Sequence, residues 1–141
     1  MLLGKKLVYS LILLSILGAS ASLYLTWTHY SNEDVACPID PEDGCETVNS
    51  SSYAKLWFVP VALLGFISYL FVGIEATLSQ RHEKMALILL IHTSFSFLFS
   101  IYLTIVEIWV IEAICEWCVF SLVIASLQFG LTGFSSWKTI K

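Results

Sequence analysis

The chain has 141 residues, of which 57% are hydrophobic and only 13% carry a charged side chain. Typical soluble domains have about 45–50% apolar and about 25% charged residues, so an ordinary soluble enzyme and a disordered chain are both excluded. Seven Lys and Arg residues against eleven Asp and Glu residues cannot form the basic surface that binds nucleic acid. The length predicts a single membrane domain over residues 1–141.

Four apolar stretches are long enough to cross a lipid bilayer as helices, which takes about 20 residues at about 1.5 Å of rise per residue. The predicted spans are residues 7–28, 57–78, 85–106 and 114–134. Each run is continuously apolar and lacks the alternation of a lipid-facing strand, so helices are favoured over a β-barrel. The predicted fold class is therefore all-α and integral to the membrane, a bundle of four transmembrane helices.

The first span also has features of a secretory signal peptide. Lys5 and Lys6 precede the apolar run, and Ala19-Ser20-Ala21 resembles a cleavage site. The apolar run continues beyond this triplet to Trp27, which suits a full span better than a signal peptide. We therefore interpret the segment as the first transmembrane helix.

The positive charges predict how the bundle is oriented. Six of the seven Lys and Arg residues lie before the first span, between the second and third, or after the fourth. Cytoplasmic segments carry an excess of Lys and Arg, so both termini and the short middle loop are predicted to be cytoplasmic. The polar loop 29–56 and the segment between spans three and four then face outward from the cell membrane.

All four cysteines fall in the two predicted outer segments. Cys37 and Cys45 lie in loop 29–56, while Cys115 and Cys118 form a C-x-x-C sequence at the start of span four. The outer side of a cell membrane is oxidising, so disulfides persist there. This segregation indicates disulfide chemistry, without separating structural bridges from redox-active ones.

The C-x-x-C pair favours the redox-active interpretation. A bridge across two residues closes so small a loop that it constrains the unfolded chain little. At a helix N-terminus we expect the first cysteine to be exposed and the second to lie among free N–H groups, which favour a thiolate. Glu112 and Glu116 oppose that charge. The pair also lies at the membrane boundary, within reach of a lipid-soluble electron carrier, and the loop pair could move toward it.

Two other interpretations of the cysteines stay open. One is a non-enzymatic four-span scaffold with two structural disulfides, Cys37–Cys45 and Cys115–Cys118. The other is a zinc site of four cysteines, although the C-x7-C spacing is longer than usual for a zinc hairpin. We predict no bound metal.

Three motifs together resemble the vitamin K epoxide reductase family, most closely its prokaryotic thiol-oxidase type without a fused thioredoxin domain. They are Cys45-x-x-Val48-x-x-Ser51-x-Tyr53-Ala54, then Pro60-x4-Gly65-x3-Tyr69, then Ile114-Cys115-x-x-Cys118. The resemblance implies a four-helix bundle around a quinone. Ser121 and Leu122 stand where the animal enzymes have Thr-Tyr, so a polar group that could assist at the quinone oxygen is expected to be missing, which argues against epoxide reduction.

The resemblance also implies roles for individual residues. Cys115 and Cys118 resemble the active-site pair beside the quinone, with Cys118 the closer of the two. Cys37 and Cys45 resemble the shuttle pair, and Ser51 resembles the loop serine near the quinone. The residues that would cover the quinone pocket are Tyr53, Trp57 and Phe58.

These roles predict a membrane thiol:quinone oxidoreductase that supports disulfide bond formation. A separate thioredoxin-like (DsbA-like) protein would be reoxidised by Cys37–Cys45. Electrons would then pass through Cys115 and Cys118 to a quinone of the menaquinone or ubiquinone type. A DsbB-like oxidase that converged on the same chemistry is an alternative. Its C-x-x-C lies in the first outer loop, however, whereas here it opens span four.

Two polar residues in the predicted spans need their own interpretation. His92 lies in the middle of span three, where a polar residue is either functional or hydrogen-bonded to another helix. We prefer the helix–helix hydrogen bond. Glu75 lies near the end of span two and is expected to reach the lipid headgroups.

Overall fold

A computed structural model of the protein describes residues 4–31, 52, 55–56 and 59–140. The helices within these ranges are α1 (Lys5–Ser31), α2 (Val61–Leu78), α3 (Glu83–Val106) and α4 (Glu116–Ile140). A π-helical segment, Glu107–Ile111, continues α3. All four helices are long and apolar enough to cross a membrane, which confirms the predicted all-α four-helix class.

The second helix begins later than the predicted span. Strands β1 (Lys55–Leu56) and β2 (Val59–Pro60) form a short antiparallel pair before α2. Pro60 then occupies the N-cap position with an extended backbone, at φ −60° and ψ 137°. Because proline has a fixed φ and no N–H to donate, a helix that starts directly after it loses no hydrogen bond. The apolar run that begins at residue 57 therefore contains the approach to the helix as well as the helix.

The four helices close into a bundle in which each contacts two neighbours, in the cyclic order α1, α2, α3, α4. Near the start of α1 the core is built around Leu11, Val72 and Leu89, which are at most 1% exposed. At the other end of the bundle, the last turns of α1 meet the start of α4 through Leu25 and Cys115. The helix connectivity thus places the C-x-x-C pair at the end of the bundle where α1 and α3 finish.

Polar side chains inside the bundle are paired between helices. Gln128 Nε2 donates to Ser15 Oγ at 3.0 Å, which links α4 to α1, and the hydroxyls of Thr93 and Thr132 lie 2.9 Å apart, which links α3 to α4. All four side chains are buried. Such pairs are expected where lipid offers polar groups no alternative partner.

Candidate redox site

The C-x-x-C sequence forms the N-terminus of α4, as the sequence predicts. Cys115 directly precedes the helix, which begins at Glu116, and its carbonyl oxygen accepts the N–H of Val119 at 3.1 Å. Cys118 is the third residue of the helix. The first turn of a helix leaves its N–H groups without partners inside the helix, so these donors can be reached by a nearby thiol.

The environments of the two thiols are the reverse of what the sequence suggested. Cys115 is only 1% exposed, whereas Cys118 is partly exposed. The N–H groups of Trp117 and Cys118 donate to the sulfur of Cys115. The expectation of an exposed first cysteine and a second one among the free N–H groups was therefore wrong. A side chain at the N-cap position folds back over the first turn and reaches those donors, which the third helical residue cannot do.

Hydrogen bonding makes the thiol of Cys115 more acidic than that of an ordinary cysteine. Its pKa is lowered mainly by the hydrogen bond from the Cys118 thiol and further by the two backbone N–H groups. Burial of the side chain and the negative charge of Glu107 act in the opposite direction on the pKa of Cys115. In the reduced pair, Cys115 therefore loses its proton more readily than an ordinary cysteine, and the Cys118 thiol supplies it with a hydrogen bond.

Glu107 is a buried acidic residue at the thiol pair that the sequence analysis missed. It is 3% exposed, and its Oε2 accepts the backbone N–H of Cys115 at 3.3 Å. Its carboxylate is also hydrogen-bonded to the Cys118 thiol. Glu112, which the sequence suggested as an opposing charge, is exposed. The carboxylate that contacts both cysteines is thus the one at the end of the third apolar run.

The backbone between α3 and α4 brings Glu107 to the cysteines. Glu107 starts the π-helical segment, and its carbonyl oxygen accepts the N–H of Ala113 at 3.1 Å. Glu112 ends the segment in the left-handed conformation, at φ 58° and ψ 31°, which is unusual for a residue other than glycine. The chain therefore turns back tightly enough for the N–H of Cys115 to meet the Glu107 carboxylate. π-Helical segments of this kind occur often at functional sites.

The thiol pair borders a cavity lined by residues of all four helices. Its volume is about 390 Å³ and its lining is predominantly apolar, within the range of about 300–1,000 Å³ typical of small-molecule sites. Cys115, Cys118 and Glu107 lie at one end. The other polar side chains that line it are Ser22, Ser68, Tyr69, His92, Ser96, Ser100, Thr104 and Ser121.

A phenol hydroxyl reaches the cavity near the cysteines. Tyr69 of α2 lies with its hydroxyl 2.6 Å from Ser121 Oγ and donates to the Ser121 carbonyl oxygen at 3.1 Å. Ser121 is three residues after Cys118, about 4.5 Å along the helix. The sequence analysis expected no polar group at this level because Leu122 replaces a tyrosine. The structure instead supplies a tyrosine hydroxyl from α2, which lies across the bundle from α4.

His92 belongs to a chain of hydrogen bonds between α2 and α3. Its Nε2 lies 2.9 Å from Ser68 Oγ, and its Nδ1 lies 2.9 Å from Glu75 Oε2. Ser68 Oγ is also 3.2 Å from Ser96 Oγ. The preferred interpretation of His92 as a helix–helix contact is confirmed. The expectation for Glu75 was wrong, because its side chain is only 13% exposed and turns inward to bind His92 rather than toward the lipid headgroups.

The remaining residues implied by the resemblance lie outside the described residues, and their roles stay predictions. They are Cys37, Cys45, Ser51, Tyr53, Trp57 and Phe58. Within the ranges that the structure describes, no group of three or more His, Cys, Asp or Glu side chains is arranged to hold a metal ion.

Four membrane-length helices around an apolar cavity, with two neighbouring thiols at one end, define a helical membrane protein with a candidate thiol redox site. The sequence profile of the vitamin K epoxide reductase family matches residues 9–132, and the chain belongs to this family. At the level of the family, it is therefore a membrane quinone-linked disulfide oxidoreductase. Among curated proteins, none matches the chain significantly.

Proposed function

We propose that the protein is a thiol:quinone oxidoreductase that reoxidises a separate thioredoxin-like, DsbA-like protein and so supports disulfide bond formation. Electrons pass from the partner to Cys37–Cys45, then to Cys115–Cys118, and finally to a quinone of the menaquinone or ubiquinone type. The observation that carries this proposal is the position of the Cys118 thiol, which borders an apolar cavity inside a membrane-length bundle.

The cavity suits a quinone head group. Such a ring is planar and largely apolar, and its two carbonyl oxygens accept hydrogen bonds. The cavity has a predominantly apolar lining with hydroxyl groups at a few positions, among them Tyr69 and Ser121 next to the thiols. A bound quinone supplies the two-electron acceptor that cysteine chemistry lacks. Ser51, Tyr53, Trp57 and Phe58 are proposed to complete the pocket.

The thiol steps are two successive exchanges. The partner's dithiol reduces the Cys37–Cys45 disulfide and leaves the partner oxidised. The Cys45 thiolate then attacks the sulfur of Cys115, which breaks the Cys115–Cys118 bond and releases Cys118. Cys37 attacks Cys45 in turn, which restores the loop disulfide and leaves Cys115 and Cys118 reduced. Each exchange breaks one disulfide and forms another, so electrons are conserved at each step.

Glu107 is proposed to take the thiol proton of Cys118. The reduced pair must lose two electrons and two protons when its disulfide is restored. The pKa of Cys115 is lowered by its hydrogen bonds, whereas the Cys118 thiol is hydrogen-bonded to the Glu107 carboxylate. A carboxylate in that contact can hold the proton as the sulfur of Cys118 becomes anionic beside the quinone. The same carboxylate fixes the backbone of Cys115 through its N–H.

The orientation belongs to the same proposal. With both termini and the loop between α2 and α3 in the cytoplasm, all four cysteines lie on the outer face, where a soluble thiol partner of the oxidising compartment can reach them. The quinone enters the cavity from the bilayer.

The test is electron transfer by the purified protein. The protein is reconstituted in liposomes with a quinone and supplied, without oxygen, with a reduced thioredoxin-like protein. We expect one quinol for each partner disulfide formed. Cys118→Ser should abolish quinol formation. Ser126→Ala should not, because Ser126 lies on the same helix but bonds only its own backbone, at Leu122, within the described contacts. A scaffold with structural disulfides would keep both bridges intact whether or not quinone is present, and that result would overturn the proposal.

A further inference from the structure

We propose that Ser96, oriented by Ser68, His92 and Glu75, is the hydrogen-bond donor to the quinone carbonyl that points away from Cys118. This inference rests on the proposed function and assigns the second polar end of the same cavity. Ser68, His92 and Ser96 all line that cavity together with Cys118.

Ser68 and Ser96 lie where the second carbonyl of a quinone beside Cys118 would be expected. Tyr69 connects α2 to Ser121, one turn beyond Cys118 on α4, and Ser68 immediately precedes Tyr69. Tyr69 extends toward the N-terminus of its own helix, as helical side chains do, which is the end where Cys118 lies. Ser68 therefore lies deeper in the bundle than both Ser121 and Cys118. A ring with one carbonyl beside Cys118 directs the opposite carbonyl into this deeper part of the cavity.

The hydrogen-bond directions leave one donor available for a ligand. We assign to His92 the tautomer that donates its Nδ1–H to the Glu75 carboxylate, and with this assignment Nε2 accepts the Ser68 hydroxyl. The single proton of Ser68 is then engaged. The hydroxyl of Ser96 can donate either to Ser68, across 3.2 Å, or to a carbonyl oxygen in the cavity. The Ser96–Ser68 contact is the longest of these three hydrogen bonds, so it is the one that Ser96 most easily gives up for a bond to a ligand.

Helix–helix adhesion alone does not account for this placement. Two other interhelical polar pairs, Gln128–Ser15 and Thr93–Thr132, consist of side chains at most 5% exposed that do not line this cavity, whereas a third, Tyr69–Ser121, does line it. The His92 side chain is 22% exposed and borders the cavity. Ionisable residues placed on an internal cavity of a membrane bundle mark ligand paths more often than packing.

The test measures the bound quinone directly. The probe is a 1,4-naphthoquinone with a short isoprenoid tail and ¹³C-labelled carbonyls, bound to the purified protein in detergent. A donated hydrogen bond lowers the stretching frequency of the carbonyl that receives it, and infrared difference spectra report each carbonyl. Affinity is measured in parallel by quenching of tryptophan fluorescence.

Ser96→Ala should weaken binding about 5–10-fold, as for the loss of one hydrogen bond, and should move one carbonyl band to the frequency of an unbonded carbonyl. Ser96→Thr, which keeps the hydroxyl, should restore both. The matched control is Thr93→Val, which removes a buried interhelical bond on the same helix, away from the cavity. It should lower the melting temperature and leave the Kd and both carbonyl bands unchanged.

The result that overturns the inference is a Ser96→Ala protein with the wild-type Kd and carbonyl bands, while the wild type binds and reduces the quinone. In that case the proposed function stands and the second contact lies elsewhere. A wild-type protein that neither binds nor reduces the quinone would instead overturn the proposed function, and this inference with it.

Discussion

Gly18 of α1 lies against the ring of Tyr69, so closely that a Cβ on Gly18 would come within 2.6 Å of the Cε1 and Cζ atoms of that ring. Real Cβ atoms essentially never approach other atoms to that distance. The absence of a side chain at position 18 therefore sets where the tyrosine ring lies. The ring in turn carries the hydroxyl that bonds Ser121, one turn from Cys118.

Gly18→Ala should displace Tyr69 and break its bond to Ser121. We expect a loss of stability of about 1–3 kcal/mol from overpacking, seen as a lower melting temperature, together with slower quinone reduction. The matched control is Gly73→Ala, where the added Cβ would meet Ser15 at an ordinary 3.8 Å. That change should be neutral or stabilising, by about 0.5–1 kcal/mol for alanine over glycine in a helix. Equal stability of the two variants would show that the Tyr69 ring is not held by Gly18.

Glu107→Gln should slow electron transfer from the cysteine pair to the quinone while leaving thiol exchange intact. The amide oxygen can still accept the N–H of Cys115, so the backbone is preserved, but the group no longer takes the Cys118 proton. We expect a rate decrease of about 10²-fold or more, as is typical for a lost proton acceptor, in stopped-flow measurements of quinol formation. Glu112→Gln is the control, because Glu112 is exposed and belongs to the same turn. If both variants lose the same activity, the proton does not pass through Glu107.

The acidity of Cys115 should depend on Cys118. The hydrogen bond from the Cys118 thiol lowers the pKa of Cys115, so more of Cys115 is thiolate at a given pH when Cys118 is present. In protein with Cys37→Ser and Cys45→Ser, ultraviolet absorbance of the thiolate should therefore appear at lower pH than when Cys118→Ala is added. Glu107→Gln should shift that titration to lower pH still, because the charge of Glu107 raises the pKa of Cys115. A titration that Cys118→Ala leaves in place would contradict this arrangement.

The sequence predicts the helices well because a long apolar run in a membrane must satisfy its own backbone hydrogen bonds. Apolar runs of this length satisfy their backbone only as helices, and the charge pattern limits where they end. The position of the C-x-x-C at a helix start follows from the same pattern. Which thiol lies among the N–H groups does not follow, because it depends on how the Cys115 side chain folds back over the first turn.

The sequence pattern does not predict which way the side chains of Glu107 and Glu75 point. Glu107 follows directly after the predicted third span, where a charged residue reads as the edge of the membrane. The π-helical turn that brings it to Cys115 has no recognisable period. Its depth alone predicts that Glu75 reaches the headgroups, whereas the direction of its side chain depends on the rotation of α2 about its axis. That rotation is set by packing against α1 and α3.

The proposed orientation predicts where thiol reagents act. A membrane-impermeant maleimide added to reduced, intact cells should label Cys37 and Cys45, because the Lys and Arg distribution places their loop outside. His82→Cys, at an exposed position between α2 and α3, should be labelled only after the membrane is permeabilised. Labelling of Cys37 and Cys45 only in permeabilised cells would reverse the topology.

The order of electron transfer between the two cysteine pairs can be tested by removing Cys118, the thiol that leaves when Cys45 attacks Cys115. If Cys45 attacks the sulfur of Cys115, the bond that breaks is Cys115–Cys118, and Cys118 is the thiol that would re-form it. In Cys118→Ala the same bridge forms from the other side, because the Cys115 thiolate attacks Cys45 of the Cys37–Cys45 disulfide, which breaks that bond and releases Cys37. We therefore expect a Cys45–Cys115 disulfide that Cys118 can no longer resolve, identified by mass spectrometry of the non-reduced protein. Cys37→Ala should keep quinone reduction by a small dithiol and lose turnover with the protein partner, because only the partner needs the loop pair. In the Cys118→Ala protein, a bridge between Cys37 and Cys115 would exchange the roles of the two loop cysteines. Intact Cys37–Cys45 with a free Cys115 in the same variant would mean that the two pairs do not exchange.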